Sequence, residues 1–336
     1  MIASTSELEE RLSRPSAADE EAAKDWRDGL LILGAGGKMG PTLALRARRA
    51  APSSTPVIAV SRFTDRATRE RLELAGIECV EADLIAPGSL ERLPNAANVL
   101  YMAARKFGTS GDAGATWATN ALLPGLVARR YAGSRIVSFS TGNVYPLMRV
   151  ESGGPDESAP LEPVGEYGWS ALARERLFEY ASREYGTRVA LLRLNYAVEM
   201  RYGVLADVAW RVWHREPVRL EMGYVNVIWQ SDANSVALRA FAHCASPPFV
   251  VNVTGTEVLS VRWLAEEFGR RFGRAPLLAG SESETALLSN ASRCRELFGP
   301  PEVSVTQAID DVAAWVAAGG VRWEKPTHFE ARDGKF

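Results

Sequence analysis

Residues 30–40, LLILGAGGKMG, constrain the fold more than any other stretch, because an apolar run breaks directly into glycines. Such a run reads as a buried strand, and the glycines permit a tight turn into a helix. Pro41 fits there, since a helix tolerates proline in its first turn. Further short apolar runs follow at PVIAVS (56–61), IECVEADL (77–84), NVLYMAA (98–104), SRIVSFS (134–140), RVALLRL (188–194) and FVVNVTG (249–255). Segments with helical spacing intervene, such as ATWATNALLPGLVARRY between the fourth and fifth runs. This alternation predicts an α/β fold, a doubly wound parallel sheet with helices on both faces.

After Leu194 the alternation loosens. Residues 1–29 are expected to form an N-terminal helical extension and 30–195 a dinucleotide-binding domain. Residues 196–336 would be mainly a smaller C-terminal substrate-binding lobe, with 249–255 returning as a strand of the sheet. The Pro/Gly/Ser-rich stretch 151–166, ESGGPDESAPLEPVGE, either walls a site next to Tyr167 or is a solvated surface loop.

Composition narrows the function classes. A chain of 336 residues that is 46% hydrophobic can build a large core, so disorder is not the default. A net charge of -2 with scattered arginines offers no one-sign surface for nucleic acid. Cys79, Cys244 and Cys294 are too few and too far apart for a disulfide framework or a zinc site, and His214, His243 and His328 stand alone. The acidic first 28 residues lack the apolar centre of a secretory signal, and no run of 18 apolar residues occurs. The expectation is a cytoplasmic protein with a small-molecule substrate, no metal, and neither nucleic acid nor membrane as partner. Homodimerisation is left open.

The first chemical motif is the turn itself. Glycines at 34, 37 and 40 let the chain turn tightly, let the backbone of Lys38 and Met39 approach a pyrophosphate, and let the helix pack close to the strand. At the end of the second run, a carboxylate would read a ribose 2′-hydroxyl. Ser61-Arg62 instead suits a 2′-phosphate, which favours NADP over NAD. If Arg62 merely faces solvent, NAD still binds through the remaining contacts.

Taken in order, these landmarks resemble the extended short-chain dehydrogenase/reductases, the NAD-dependent epimerase/dehydratase family, from about Leu30 to about Ala317. They are the GxxGxxG turn, Asp83-Leu84, Ala103-Ala104, Asn120 in ATNALLPG, FSTGNVY at 139–145 and the Tyr-Gly-x-Ser stretch at 167. The resemblance implies a Rossmann-like fold in which Asp83 and Leu84 meet the adenine end and Ala103 and Ala104 line the cofactor. It implies that Asn120 orders the active site, that Thr141 bonds the substrate oxygen, and that Tyr167 is the acid/base beside the nicotinamide. That pairing makes chemical sense, because a carbinol loses hydride only if its hydroxyl proton leaves too.

The chain departs from the family at three places. Ala171 stands where a lysine, one helical turn after the tyrosine, would lower the phenol pKa. Gly142-Asn143 replace the Asp-Glu pair of the dehydratases, and Val225-Asn226 replace an arginine-aspartate pair of nucleotide-sugar enzymes. Lys106, in the loop after the fourth strand, is the candidate substitute cation, whereas Arg174 reads as a surface or ion-pair residue. Trp169 and Trp229 read as core more readily than as walls of a sugar pocket. These features suggest an NAD(P)-dependent oxidoreductase or epimerase acting on a small hydroxylated carbonyl compound such as a sugar, sugar acid or lactone. The alternative is a non-catalytic dinucleotide-binding sensor or scaffold, against which the retained Asn120, Thr141 and Tyr167 weigh.

Overall fold

All seven apolar runs become strands of one parallel sheet in the computed structural model, which describes every residue except 1, 3, 109, 110, 326 and 336. The strands are β1 (Leu30–Leu33), β2 (Val57–Ser61), β3 (Glu78–Glu81), β4 (Asn98–Tyr101), β5 (Arg135–Thr141), β6 (Arg188–Leu194) and β7 (Phe249–Val253). Their order across the sheet is β7-β6-β5-β4-β1-β2-β3. Leu30 of β1 pairs with Val57 on one side and Asn98 on the other. The chain therefore winds outward in both directions from β1 and β4, opening a crevice at their carboxyl ends.

Burial on both faces explains why inner strands such as β1 are continuous apolar runs rather than alternating ones, whereas the edge strand β3, ECVE, is exposed at both ends. Leu30, Ile32, Val57 and Ala59 face one core layer with Leu43 and Ala47 of a helix over Gly40–Ala50. Leu31, Leu33, Val60 and Tyr101 face the other, with Val127 and Phe178. A third core, beside the sheet, joins Val208 of the helix Val204–His214, Phe268 of the helix Val261–Phe272 and Val312 of the helix Val305–Ala317.

The N-terminal residues form two helices, α1 (Thr5–Ser13) and α2 (Ala17–Ala23), that are built into the body of the protein. Leu8 and Leu12 of α1 are buried in the third core, and Arg11 pairs with Asp311 at 2.8 Å. Ser16 and Asp19 form a reciprocal capping box that starts α2. The buried Asp19 carboxylate also takes 2.6 Å contacts from Arg46, in the helix that follows the glycine turn, and from Ser235. Both partners are themselves buried.

Removing one member of a buried ion pair leaves the other charged and desolvated, at a cost of about 3–5 kcal/mol. Asp19→Ala is predicted to lower the unfolding free energy by about that much in urea titration, whereas Glu21→Ala, which removes the exposed pair with Lys24, changes it by less than about 1 kcal/mol. A loss for Asp19→Ala no larger than that for Glu21→Ala would contradict this role for the N-terminal helices.

Candidate active site

At the crevice the three glycines have separable tasks. Gly34 has a φ of +95°, and a β-carbon there would lie 2.6 Å from the Ala103 amide nitrogen, so the turn crosses against the end of β4. At Gly40 a β-carbon would lie 2.6 Å from the Ala35 carbonyl carbon, which lets the following helix start close to the strand. Gly37 differs: its nearest neighbour would be 3.6 Å away, and it is exposed to the crevice. No side chain caps that helix at Met39; the Gly40 amide donates to the Gly37 carbonyl at 3.2 Å and Pro41 has no N–H, so an anion there would meet the turn and the amides around it rather than a row of free helix amides.

The crevice is a cavity of about 1440 Å³, bordered by Gly34, Gly37, Lys38, Ser61, Arg62, Asp83, Leu84, Ala103, Ala104 and Lys106. The structure thus brings together most residues expected to meet a dinucleotide. Gly40 is buried behind the turn, and Met39 packs on the core beneath it. Arg62 is exposed, and the carboxylates of Asp65 and Asp83 line the same end. The volume exceeds the roughly 300–1,000 Å³ of ordinary small-molecule sites, leaving room for a cofactor and a substrate.

β5 delivers Thr141 and the first turn of a long helix, Gly165–Tyr185, delivers Tyr167; neither borders the cavity, but Lys106, which does, lies beside the Tyr167 ring. Both are buried, and their hydroxyls are hydrogen-bonded. Burial pushes the Tyr167 phenol above the usual tyrosine value, opposed by the charge of Arg174 and then by the Thr141 hydrogen bond. Thr141 also accepts from the Asn143 amide at 3.2 Å and its side chain at 3.0 Å.

Asn120 lies in a π-helical turn, Ala118–Leu122, the kind of bulge that re-aims a side chain at functional sites. Its carboxamide accepts from the Arg105 amide and donates to the Arg105 carbonyl, both at 2.8 Å. It donates as well to Ser170 at 3.0 Å, and Ser170 in turn donates to the Tyr167 carbonyl at 3.0 Å. One side chain thereby fixes the loop carrying Lys106 against the helix carrying Tyr167. The Lys106 ammonium lies 6.0 Å from the centre of the Tyr167 ring, and burial lowers its pKa to about 8.

Ala171 is fully buried among Val144, Tyr145 and Leu172 and contributes nothing polar. The reading of Arg174 as a surface or ion-pair residue is incorrect. It is 2% exposed and donates to the Phe139 carbonyl at 2.7 Å and to Asn120 at 3.3 Å, and no carboxylate among the described residues pairs with it. Its position, seven residues after Tyr167 on the same helix face, is the signal that could have found it. Trp169 is 51% exposed and so is not core, whereas Trp229 is buried. Val225 and Asn226 are buried too, and Asn226 is engaged by Asn195 and Ser289.

Several residues at the cavity had no sequence signal. Arg201, Trp323 and Lys325 close it from the third core and the C-terminal tail, where the Trp323 amide donates to the Arg201 carbonyl at 3.1 Å. Glu9 of α1 reaches its rim, paired with Arg71 and, at 3.2 Å, with Arg201. Among the described residues, no cluster of histidine, cysteine and carboxylate side chains could hold a metal ion, and no helix is long and apolar enough to cross a membrane.

Residues 30–198 match the NAD dependent epimerase/dehydratase family. No curated protein matches the sequence at a significant level. Among solved structures, the UDP-glucuronic acid 4-epimerase of Bacillus cereus is 16% identical, with a TM-score of 0.75 over 86% of this chain and 99% of its own. The UDP-glucose 4-epimerase of Thermotoga maritima is 18% identical, with a TM-score of 0.73 over 87% of this chain and 99% of its own. That of Thermus thermophilus is 19% identical, with a TM-score of 0.71 over 85% and 97%. The Bacillus cereus and Thermus thermophilus structures are complexes with NAD, which overturns the preference for NADP read from Ser61-Arg62. The physical reason is visible here, because a solvent-exposed guanidinium with no partner among the described residues fixing it does not make a closed seat for a 2′-phosphate.

Gly37 has room for a side chain, so Gly37→Asp is predicted to change folding stability by no more than about 0.5 kcal/mol while placing an anion where the pyrophosphate would approach. Calorimetry should detect NAD binding to the wild type and none to the variant. Unchanged affinity in the variant would show that the turn is not the phosphate seat.

Proposed function

Because the chain belongs to the NAD dependent epimerase/dehydratase family, we propose that it is an NAD-dependent enzyme that oxidises or epimerises a small hydroxylated carbonyl compound of the sugar class. The observation that carries this reading is the hydrogen-bonded Thr141–Tyr167 pair, held by Asn120 in register with Lys106, which borders the cavity. A pure binding module has no use for a buried phenol and a threonine hydroxyl aimed at one another.

In this reading the glycine turn and the uncapped helix start hold the pyrophosphate, while Asp83, Leu84, Ala103 and Ala104 line the cofactor. NAD, when bound, supplies the hydride acceptor. Thr141 holds the reacting oxygen by a hydrogen bond, and Tyr167 takes the hydroxyl proton as the carbon is oxidised and can return it after reduction. Lys106 supplies the positive charge that Ala171 lacks, approaching from the cavity, and Arg174 adds a second from beneath. The glycine and asparagine at 142 and 143 offer no acid pair for eliminating water. Commitment of Val225 and Asn226 to packing favours a small sugar, sugar acid or lactone over a nucleotide sugar.

One observation favours the non-catalytic alternative: burial holds the phenol above its usual pKa with no lysine on its own helix to oppose it. The pH dependence separates the two. The ammonium of Lys106 favours phenolate below about 8 and stops doing so as pH rises through that value. Oxidation of a substrate found among aldoses, uronic acids and lactones, followed by NADH absorbance, is therefore predicted to level off near pH 8. Lys106→Met should be slower below about pH 8 and should keep rising with pH toward the titration of the phenol itself, where it approaches the wild type.

Tyr167→Phe should cost at least about 100-fold in kcat, and Ala171→Lys should move the phenol's titration to lower pH. If Tyr167→Phe is silent, Tyr167 is not the proton carrier. If Lys106→Met leaves rate and profile unchanged, Lys106 is not the substitute cation.

A further inference from the structure

We propose that Lys38, together with Lys106, forms a subsite for an anionic group carried by the substrate, a carboxylate or a phosphate ester on the sugar. This rests on the sugar reading above and narrows it.

The Lys38 nitrogen is buried and has no hydrogen-bond partner among the described residues. It sits 3.1 Å from the centre of the Tyr202 ring and 4.4 Å from that of Phe107. An ammonium enclosed in this way is costly unless an anion meets it, and ring faces offset only part of that cost. Nearby carboxylates are already engaged: Asp207 with Arg322 at 2.7 Å and with Thr327, and Glu199 with Arg201 at 3.0 Å. Neither forms an ion pair with Lys38.

The second cation lies close by. The Lys106 ammonium is 5.8 Å from the same Phe107 ring and 6.0 Å from Tyr167. The two ammoniums repel each other, and burial with that repulsion brings Lys38 down to about 7. An arriving anion would pair with both, which is the charge-assisted contact that gives specificity.

The location argues for substrate rather than cofactor. The pyrophosphate seat is the backbone of the glycine turn and the helix start. The Lys38 side chain leaves that turn toward Tyr202, which belongs to the segment after the sheet's sixth strand, and toward Lys106 beside the reacting phenol. The anion would therefore lie at the substrate end of the cavity.

The test is calorimetry on the full chain at saturating NAD with three probes, D-glucuronate, glucose 6-phosphate and D-glucose. At least one anionic probe should bind about tenfold or more tightly than glucose, and the one that does identifies carboxylate or phosphate as the source. Lys38→Met should abolish that preference with little effect on glucose, and Lys38→Arg should retain most of it; thermal melting of both variants checks the fold.

Equal binding of all three probes, or a preference that survives Lys38→Met, overturns the inference while leaving the sugar reading in place. Loss of NAD affinity in Lys38→Met with the preference unmoved assigns the cation to the cofactor and also overturns it. Binding of none of the three, with NAD bound, overturns the sugar reading and this inference with it.

Discussion

Asn120 makes the hydrogen bonds on which the geometry of the site depends. Its carboxamide uses both ends: the oxygen takes the Arg105 amide and Arg174, and the nitrogen gives to the Arg105 carbonyl and Ser170. These partners lie on two elements, the loop after β4 and the tyrosine helix. Arg105 sets where the loop after β4 turns, Ser170 anchors the first turn of the tyrosine helix, and Arg174 carries the buried charge. A buried carboxamide satisfied on every side specifies one arrangement sharply, because breaking any bond leaves a polar group without water. The π-helical turn is what allows Asn120 to point inward at all.

Electrostatics at Tyr167 follow from that arrangement. With Ala171 packed among Val144, Tyr145 and Leu172, the tyrosine's own helix supplies no ammonium at the next turn. The positive charge comes from elsewhere, Arg174 from the sheet side and Lys106 from the cavity side. Arg174 is held by the Phe139 carbonyl and Asn120, whereas burial pulls Lys106 down to about 8, so that it can change protonation near neutrality. Burial raises the phenol and separately lowers Lys106, whose ammonium stands 6.0 Å from the ring centre. The N-terminal helices and the C-terminal tail contribute indirectly, since Glu9, Arg201 and Trp323 close the cavity around these groups.

The sheet was legible because its inner strands are buried on both faces, which makes them largely apolar runs between glycines and helices. Thr141, Tyr167 and the turn at 34–40 were legible through residue types in a fixed order. Arg174 was not, because an arginine on a helix is ordinarily solvated and nothing local shows that Phe139 and Asn120 receive it. The roles of Glu9, Lys38 and Trp323 were also hidden, since each depends on contacts with residues far away in the chain. Arg62 shows the opposite failure. A residue type suited to 2′-phosphate was present, but the fold leaves it exposed in a crevice that Asp65 and Asp83 also line.

In the proposed mechanism Tyr167, attended by Thr141 and Lys106, works at the reacting oxygen of a sugar placed against the nicotinamide. A crystal structure with NAD and a sugar acid tests it most directly. The account predicts the Tyr167 and Thr141 hydroxyls within about 2.6–3.2 Å of the same substrate oxygen, with the nicotinamide over the adjacent carbon and Lys106 facing the phenol. A complex in which NAD binds but the Tyr167 phenol remains sealed from both nicotinamide and ligand would contradict it.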